Sequence, residues 1–196
     1  MIRHRSVEDK EEVRQAMLEA TRELLLDGGY HVVTLGKVGK KVGFTTTNVY
    51  RYFKSKDDLI YAAIEELFVE LGVELAQLTK EMPDPVARIF AFCRSYLDFA
   101  ERYPISYRLM FIDEFDLGDR PVPGLNYLGY VTSALDQAIR QGTLRTSDVE
   151  GVAYTLWGML HGVVMALRLI PKEQDEQKNR IVARTMRCIE YALEGE

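Results

Sequence analysis

The chain has 196 residues, 47% of them hydrophobic and 28% charged, with two cysteines and a net charge of −5. This composition carries enough apolar residues for a core and excludes a disulfide-stapled miniprotein, a low-complexity polymer and a uniformly basic coat for nucleic acid. The opening segment, MIRHRSVEDK, lacks the apolar run of an export leader, so a cytoplasmic protein is expected.

Taken in order, the elements read as helices almost throughout. Ser6 is placed to cap a first helix to about Asp27, with Val13, Ala16, Met17, Ala20 and Leu24 recurring at three and four and Gly28-Gly29 ending it. Thr34 can cap a second helix, Gly43 can take a left-handed turn, and Thr45 can cap a short third helix through Tyr52. Ser55 caps a fourth, with Asp57 and Asp58 in its first turn and Leu59, Ala63, Leu67, Leu71 and Leu78 along it. Pro83 and Pro85 separate it from a helix over 85–102. That fifth helix has two apolar stripes, one through Ile89, Cys93 and Leu97 and one through Phe92, Tyr96, Phe99 and Tyr103, which predicts contacts on more than one side.

A sixth helix is predicted from Pro104 to about Asp116, then a loop over 115–124, then a helix from Leu125 to Gln141 stopped by Gly142. Ser147 or Asp148 caps the next, which runs to Ile170; a last helix covers about 173–193. Residues 152–167 contain no Lys, Arg, Asp or Glu. Sixteen residues fall short of the roughly 20 needed to span a bilayer, so they predict a helix buried on every side and no membrane partner. Cys93 and Cys188 both lie in apolar helical patterns and read as reduced core thiols. Nothing alternates with period two over a useful length, and the expected class is all-α with about nine helices.

Charge singles out one segment. Residues 1–60 hold eleven Lys or Arg against nine Asp or Glu, net +2, so the other 136 carry the acidic excess. From Thr34 to Lys56 there are six cations (Lys37, Lys40, Lys41, Arg51, Lys54 and Lys56) and no acid. A helix, tight turn and helix bearing a local positive field suit a DNA major groove. The run Thr45, Thr46, Thr47, Asn48 suits a helix N-terminus, where hydroxyls cap amides and face outward. Lys54, Lys56, Tyr50 and Tyr52 are expected on the phosphate backbone and Thr46, Thr47 and Arg51 on base edges, with Val49 and Phe53 turned inward. Thr34 and Lys37 complete the candidate DNA-contacting set, and Arg3 and Arg5 offer an N-terminal arm.

The segment GFTTTNVYRYFKSKDDL, Gly43 to Leu59, resembles the hallmark of the tetracycline-repressor (TetR) family of transcriptional regulators, and DGGYHVVTLGKVGKKVG resembles the family's approach to it. The resemblance implies that Thr45, Thr46, Thr47, Tyr50, Arg51, Tyr52 and Lys56 are directed at DNA and that Phe53 packs inside. Gly36 and Gly39 depart from the family's usual second helix. LWGMLHG, Leu156 to Gly162, is similar to a Trp-His-Gly signature of one regulatory-domain subgroup, and AIRQGTLR, Ala138 to Arg145, is similar to a segment of the family's second domain.

The implied architecture is an N-terminal three-helix helix-turn-helix domain, residues 1–54, and a C-terminal bundle for ligand binding and dimerisation, residues 55–196. The last two helices would pair with a second copy through Gly158, Gly162, Ile181, Met186 and Ile189. A small-molecule effector, apolar or aromatic, would sit among Phe90, Tyr96, Tyr107, Met110, Phe111, Tyr127, Trp157 and His161; Asp98, Glu101, Asp113 and Glu114 leave room for a cationic one. The expected function is a repressor that binds a pseudo-palindromic double-stranded DNA operator as a homodimer. The alternative is a constitutive DNA-binding or protein-interaction module without a pocket. An enzyme is disfavoured, because the chain has no Glu-x-x-His, no His-Glu-x-x-His and no phosphate-cradling Gly-Lys-Ser/Thr loop. No metal site, cofactor or catalytic residue is expected.

Overall fold

The computed structural model describes residues 7–112, 119–121, 124–171 and 173–194. Among these residues the regular structure is helical: α1 (Val7–Gly28), α2 (Leu35–Lys41), α3 (Thr46–Val49), α4 (Lys56–Thr79), α5 (Pro85–Arg102), α6 (Pro104–Phe111), α7 (Leu125–Arg140), α8 (Val149–Leu167) and α9 (Asp175–Glu194), with a 3₁₀ turn at Tyr30–Val32. The expected Ser6 cap, the Arg3 and Arg5 arm, and Asp113 and Glu114 lie outside the described residues. Contacts divide the chain into two compact units, Met1–Val69 with Ile105–Pro123, and Glu70–Pro104 with Gly124–Glu196.

In the first unit α1 buries Met17, Leu18, Ala20, Leu24 and Leu25, while Ala16 is exposed and Val13 half-buried. The inward stripe is thus rotated slightly from the expected one. It includes Thr21, whose hydroxyl is satisfied by donating to the Met17 carbonyl at 2.7 Å. Val33, Leu35, Val38, Val49, Phe53 and Leu59 supply most of the remaining core of this unit's N-terminal helices. Gly29, with φ 73°, takes the chain out of α1 in a conformation that side chains resist.

In the second unit α5 packs against both α7 and α8, α7 against α8, and α8 against α9. Helix α5 is thus contacted by more than one helix, as expected, although Tyr103 just past its end is exposed. Asp84 caps α5 by accepting from the Val86 N–H at 2.9 Å, and Asp148, not Ser147, caps α8 by accepting from the Gly151 N–H at 2.9 Å. Helix α8 ends at Leu167, before the predicted Ile170.

The expectation of α8 buried on every side does not hold within one chain. Ala153, Leu156, Leu160 and Val164 are buried, but Tyr154, Thr155, Gly158, Gly162 and Ala166 are exposed. The cysteines also differ: Cys93 is buried, with desolvation pushing its thiol up to about 12, whereas Cys188 is exposed on α9 and is not a core thiol. Among the described residues no helix is long and apolar enough to cross a membrane.

Candidate nucleic-acid interface and effector cavity

The Thr34–Lys56 segment folds as its punctuation requires. Thr34 caps α2 by accepting from the Lys37 N–H at 3.2 Å. Gly43, at φ 74°, turns the chain, and the Phe44 N–H donates to the Gly39 carbonyl at 2.8 Å. Thr45 caps α3, accepting from the Asn48 N–H at 3.4 Å. Regular α-helix stops at Val49, earlier than the expected Tyr52; the Arg51 and Tyr52 N–H groups donate three residues back, to Asn48 and Val49, as the helix tightens.

So short a helix cannot hold itself together in water. It is held by Val49, fully buried, and Phe53, 3% exposed, with the Arg14 guanidinium 5.6 Å from the Phe53 ring centroid. Burying those two leaves Thr45, Thr46, Thr47, Tyr50 and Arg51 exposed and Tyr52 half-buried. Gly39 is what lets α2 and α3 approach. A Cβ there would lie 2.7 Å from the Phe44 carbonyl oxygen and 3.2 Å from Val49 Cγ2. The departure from a better helix former at this position is therefore a packing requirement.

The cations differ in their surroundings. Lys41 pairs with Glu23, whose hydrogen bond raises the lysine above its ordinary value. Lys56 lies over the Tyr30 ring, 3.6 Å from its centroid, while the Tyr30 hydroxyl donates to Asp57 at 2.6 Å. Lys37, Lys40, Arg51 and Lys54 are exposed and have no acidic side-chain partner among the described residues. The Lys54 amide is fixed by Asp58, which accepts its N–H at 2.8 Å while Ser55 Oγ accepts the Asp58 N–H at 3.0 Å. Asp58 also pairs with Arg120 at 3.7 Å. The Ser-x-x-Asp pattern signals the cap in sequence, whereas nothing local marks Tyr30 as the seat of Lys56.

The expected pocket residues fall into both units. Tyr107, Met110 and Phe111 belong to the first, where Phe111 lies tilted against Tyr107 and edge-to-face with Phe68, with ring centroids 4.8 and 5.1 Å away. Phe90, Tyr96, Tyr127, Trp157 and His161 belong to the second. There the Tyr96 hydroxyl lies 3.3 Å from His161 Nδ1, Trp157 stacks on the His161 ring at 5.6 Å, and burial holds His161 below its ordinary value of 6.5. Burial raises the Tyr127 phenol above its ordinary value.

A cavity of about 500 Å³ in the second unit is lined by none of these expected residues. Its walls come from the last two turns of α4, from α5 and from α7, and include Lys80 and Arg88. Sequence periodicity singles out large aromatics, and here they mostly fill the core instead of facing this space. Asp98 and Glu101 do not line it either.

Of the candidate partner residues, Gly158 and Gly162 are exposed, with open space where a Cβ would project, and Ile181 and Met186 are half-buried. Ile189 is fully buried inside its own chain and is withdrawn from the partner face. No group of three or more His, Cys, Asp or Glu among the described residues is placed to hold a metal ion.

Comparison with known proteins places these features in one family. Residues 17–63 match the family described as "Bacterial regulatory proteins, tetR family", and residues 89–187 match "Tetracyclin repressor-like, C-terminal domain". The HTH-type transcriptional activator FasR of Mycolicibacterium smegmatis is 26% identical over 106 residues, 54% of this chain and 48% of FasR. The chain thus spans about half the length of that relative. The HTH-type transcriptional regulator RutR of Escherichia coli is 25% identical over 153 residues, 74% of this chain and 70% of RutR. Among solved structures, FadR of Bacillus subtilis in complex with stearoyl-CoA superposes with a TM-score of 0.70 at 18% identity, covering 93% of this chain and 98% of FadR. A helix-turn-helix spaced by Gly39, a helical second unit and two family matches that together take in most of the sequence lead to one conclusion: the chain belongs to the TetR family of bacterial transcriptional regulators.

Proposed function

We propose that this chain is a ligand-responsive repressor that binds a pseudo-palindromic double-stranded DNA operator as a homodimer, in the cytoplasm, and leaves it when a small molecule occupies the C-terminal bundle. Residues 1–54 read DNA and residues 55–196 dimerise and sense. The observation that carries the reading is the exposed row Thr46, Thr47, Tyr50 and Arg51, anchored from behind by Val49 and Phe53 and flanked by cations without carboxylate partners. Unpaired cations release counterions from phosphate at no loss of an internal ion pair. The threonine hydroxyls and methyls and the Arg51 guanidinium meet base edges, while Lys37, Lys54, Lys56, Tyr50 and Tyr52 meet the backbone and Thr34 and Thr45 hold the two helix starts.

Dimerisation supplies the second half-site. Two recognition helices must stand about 34–36 Å apart to enter successive major grooves. The uncovered strip of α8 at Gly158 and Gly162 supports a close helix-to-helix contact between copies, with Ile181 and Met186 of α9 beside it. That FadR, of the same fold, is seen with stearoyl-CoA supports a small-molecule effector. To swing occupancy from nearly all to nearly none, that effector must favour one state by about 5.5 kcal/mol.

Selection of bound duplexes from random DNA tests the proposal. The expected product is two half-sites related by a dyad, their centres about 10–10.5 base pairs or a multiple apart. Failure to enrich any duplex at low ionic strength would overturn the DNA-binding assignment, and a lone asymmetric site would overturn the dimer.

A further inference from the structure

The cavity in the second unit has a chemical bias that the aromatic residues of the sequence do not suggest. Leu75, Phe92 and Ala134 give it an apolar wall, and Lys80 and Arg88 give it two positive charges; none of its lining residues is acidic. Arg88 is half-buried and held in place. Its Nε donates to the Met82 carbonyl at 2.6 Å and its Nη1 to the Gln137 side-chain oxygen at 2.9 Å. Both acceptors are neutral, so neither offsets the guanidinium's positive charge, and the group still has N–H donors to give. Neither Arg88 nor Lys80 has a carboxylate partner among the described residues. A fixed, partly desolvated cation beside an apolar wall rewards an anion more than the same cation in open water would.

We propose that this cavity binds an anionic amphiphile, its carboxylate or phosphate head held by Arg88 and Lys80 and its apolar body laid against Leu75, Phe92 and Ala134. The volume of about 500 Å³ suits a ligand of small-molecule size. The inference replaces a purely apolar or a cationic effector with an acidic one, and it rests on reading the chain as an effector-controlled regulator.

Calorimetric titration of the full-length protein with octanoate, octyl phosphate, octan-1-ol and octylamine tests it. The anions are expected to bind at least about tenfold more tightly than the alcohol, with the amine weakest. The tighter of the two anions identifies the head group. Lys80→Glu, at an exposed position, should remove about tenfold of anion affinity and leave the alcohol unchanged; Arg88→Gln should do the same provided circular dichroism shows a folded protein. Equal binding of alcohol and anions, no binding of any probe by folded protein, or an anion preference that survives Lys80→Glu would each overturn the site. Mobility shift with a selected operator separates this outcome from that of the regulator reading. Anion binding that leaves the DNA complex intact supports the site and sinks the switch, whereas release by another molecule with no anion preference sinks the site alone.

Discussion

Gly39 and Gly36 lie on the same short helix, one turn apart, and should respond to alanine with opposite signs. Glycine in a helix interior costs about 1 kcal/mol relative to alanine, so propensity alone predicts equal stabilisation at both positions. The surroundings decide otherwise. A methyl at Gly36 meets only Thr46 Oγ1 at 3.4 Å, at the edge of ordinary contact, and the site is exposed. At Gly39 it would lie 2.7 Å from a backbone carbonyl, that of Phe44, which also accepts no relief from a side-chain rotation because it is main chain. Overpacking of this kind costs roughly 1–3 kcal/mol, which cancels or exceeds the propensity gain. Gly36→Ala should therefore raise stability by up to about 1 kcal/mol, while Gly39→Ala should lower it by up to about 2 kcal/mol and, by tilting α3, weaken operator binding. Urea denaturation followed by far-ultraviolet circular dichroism gives the stabilities, and fluorescence anisotropy with a labelled operator gives the affinities. A Gly39→Ala protein more stable than the parent, or a Gly36→Ala protein that loses more than Gly39→Ala, would refute the close-approach argument.

Other consequences are open to simple measurement. Lys56→Ala should weaken binding to all duplexes alike and reduce the slope of log affinity against log salt by about 0.9, whereas Thr47→Ala should change which half-site is selected; an unchanged slope would remove Lys56 from the phosphate contacts. Gly158→Leu and Gly162→Leu should leave the fold of each chain intact, because the space beyond each glycine is open, yet bring the mass measured by light scattering down to that of one chain; a persistent dimer would place the partner face elsewhere. His161 is held below its ordinary 6.5 by burial, so above that value both folded and unfolded chains carry it neutral and it contributes no pH dependence. As pH falls through 6.5 the unfolded chain takes up the proton first, and stability is lost until the folded-state value is passed. His161→Phe should flatten part of the decline in urea midpoint between about pH 7.5 and about pH 5.5; an identical decline in both proteins would show the ring to be freely protonated in the fold.

The helix-turn-helix was legible because each of its steps is local. Thr34, Gly43, Thr45 and Ser55 punctuate the backbone through contacts within four residues of themselves, and Val49 and Phe53 declare the inward face by their spacing. The rest depends on pairs distant in sequence. Lys56 on Tyr30 and Arg88 on Gln137 join residues 26 and 49 positions apart, and neither partner announces the other. The lining of the cavity is hidden from sequence for a related reason. Large aromatics such as Tyr96, Tyr107 and Tyr127 are the best core fillers, so their presence reports buried volume and not where volume is left empty. Ile189 and Gly158 show the same limit on α9 and α8, since periodicity finds an apolar face without saying whether the chain itself or a second copy covers it.

A recognition helix of four regular residues makes a particular demand on any effector. Alone it has no cooperative stability, and its geometry is inherited from Val49, Phe53 and the Gly39 contact, all inside the first unit. A ligand in the second unit that acted by unfolding α3 would have to break that core, at several kcal/mol, before it changed any base contact. Moving the whole anchored element as a body breaks none of these contacts. Occupancy of the cavity should therefore leave the recognition element's stability to hydrogen exchange unchanged. Protection of the Val49 and Phe53 amides that falls on ligand binding would instead show that the element melts, and the rigid-body account would fail.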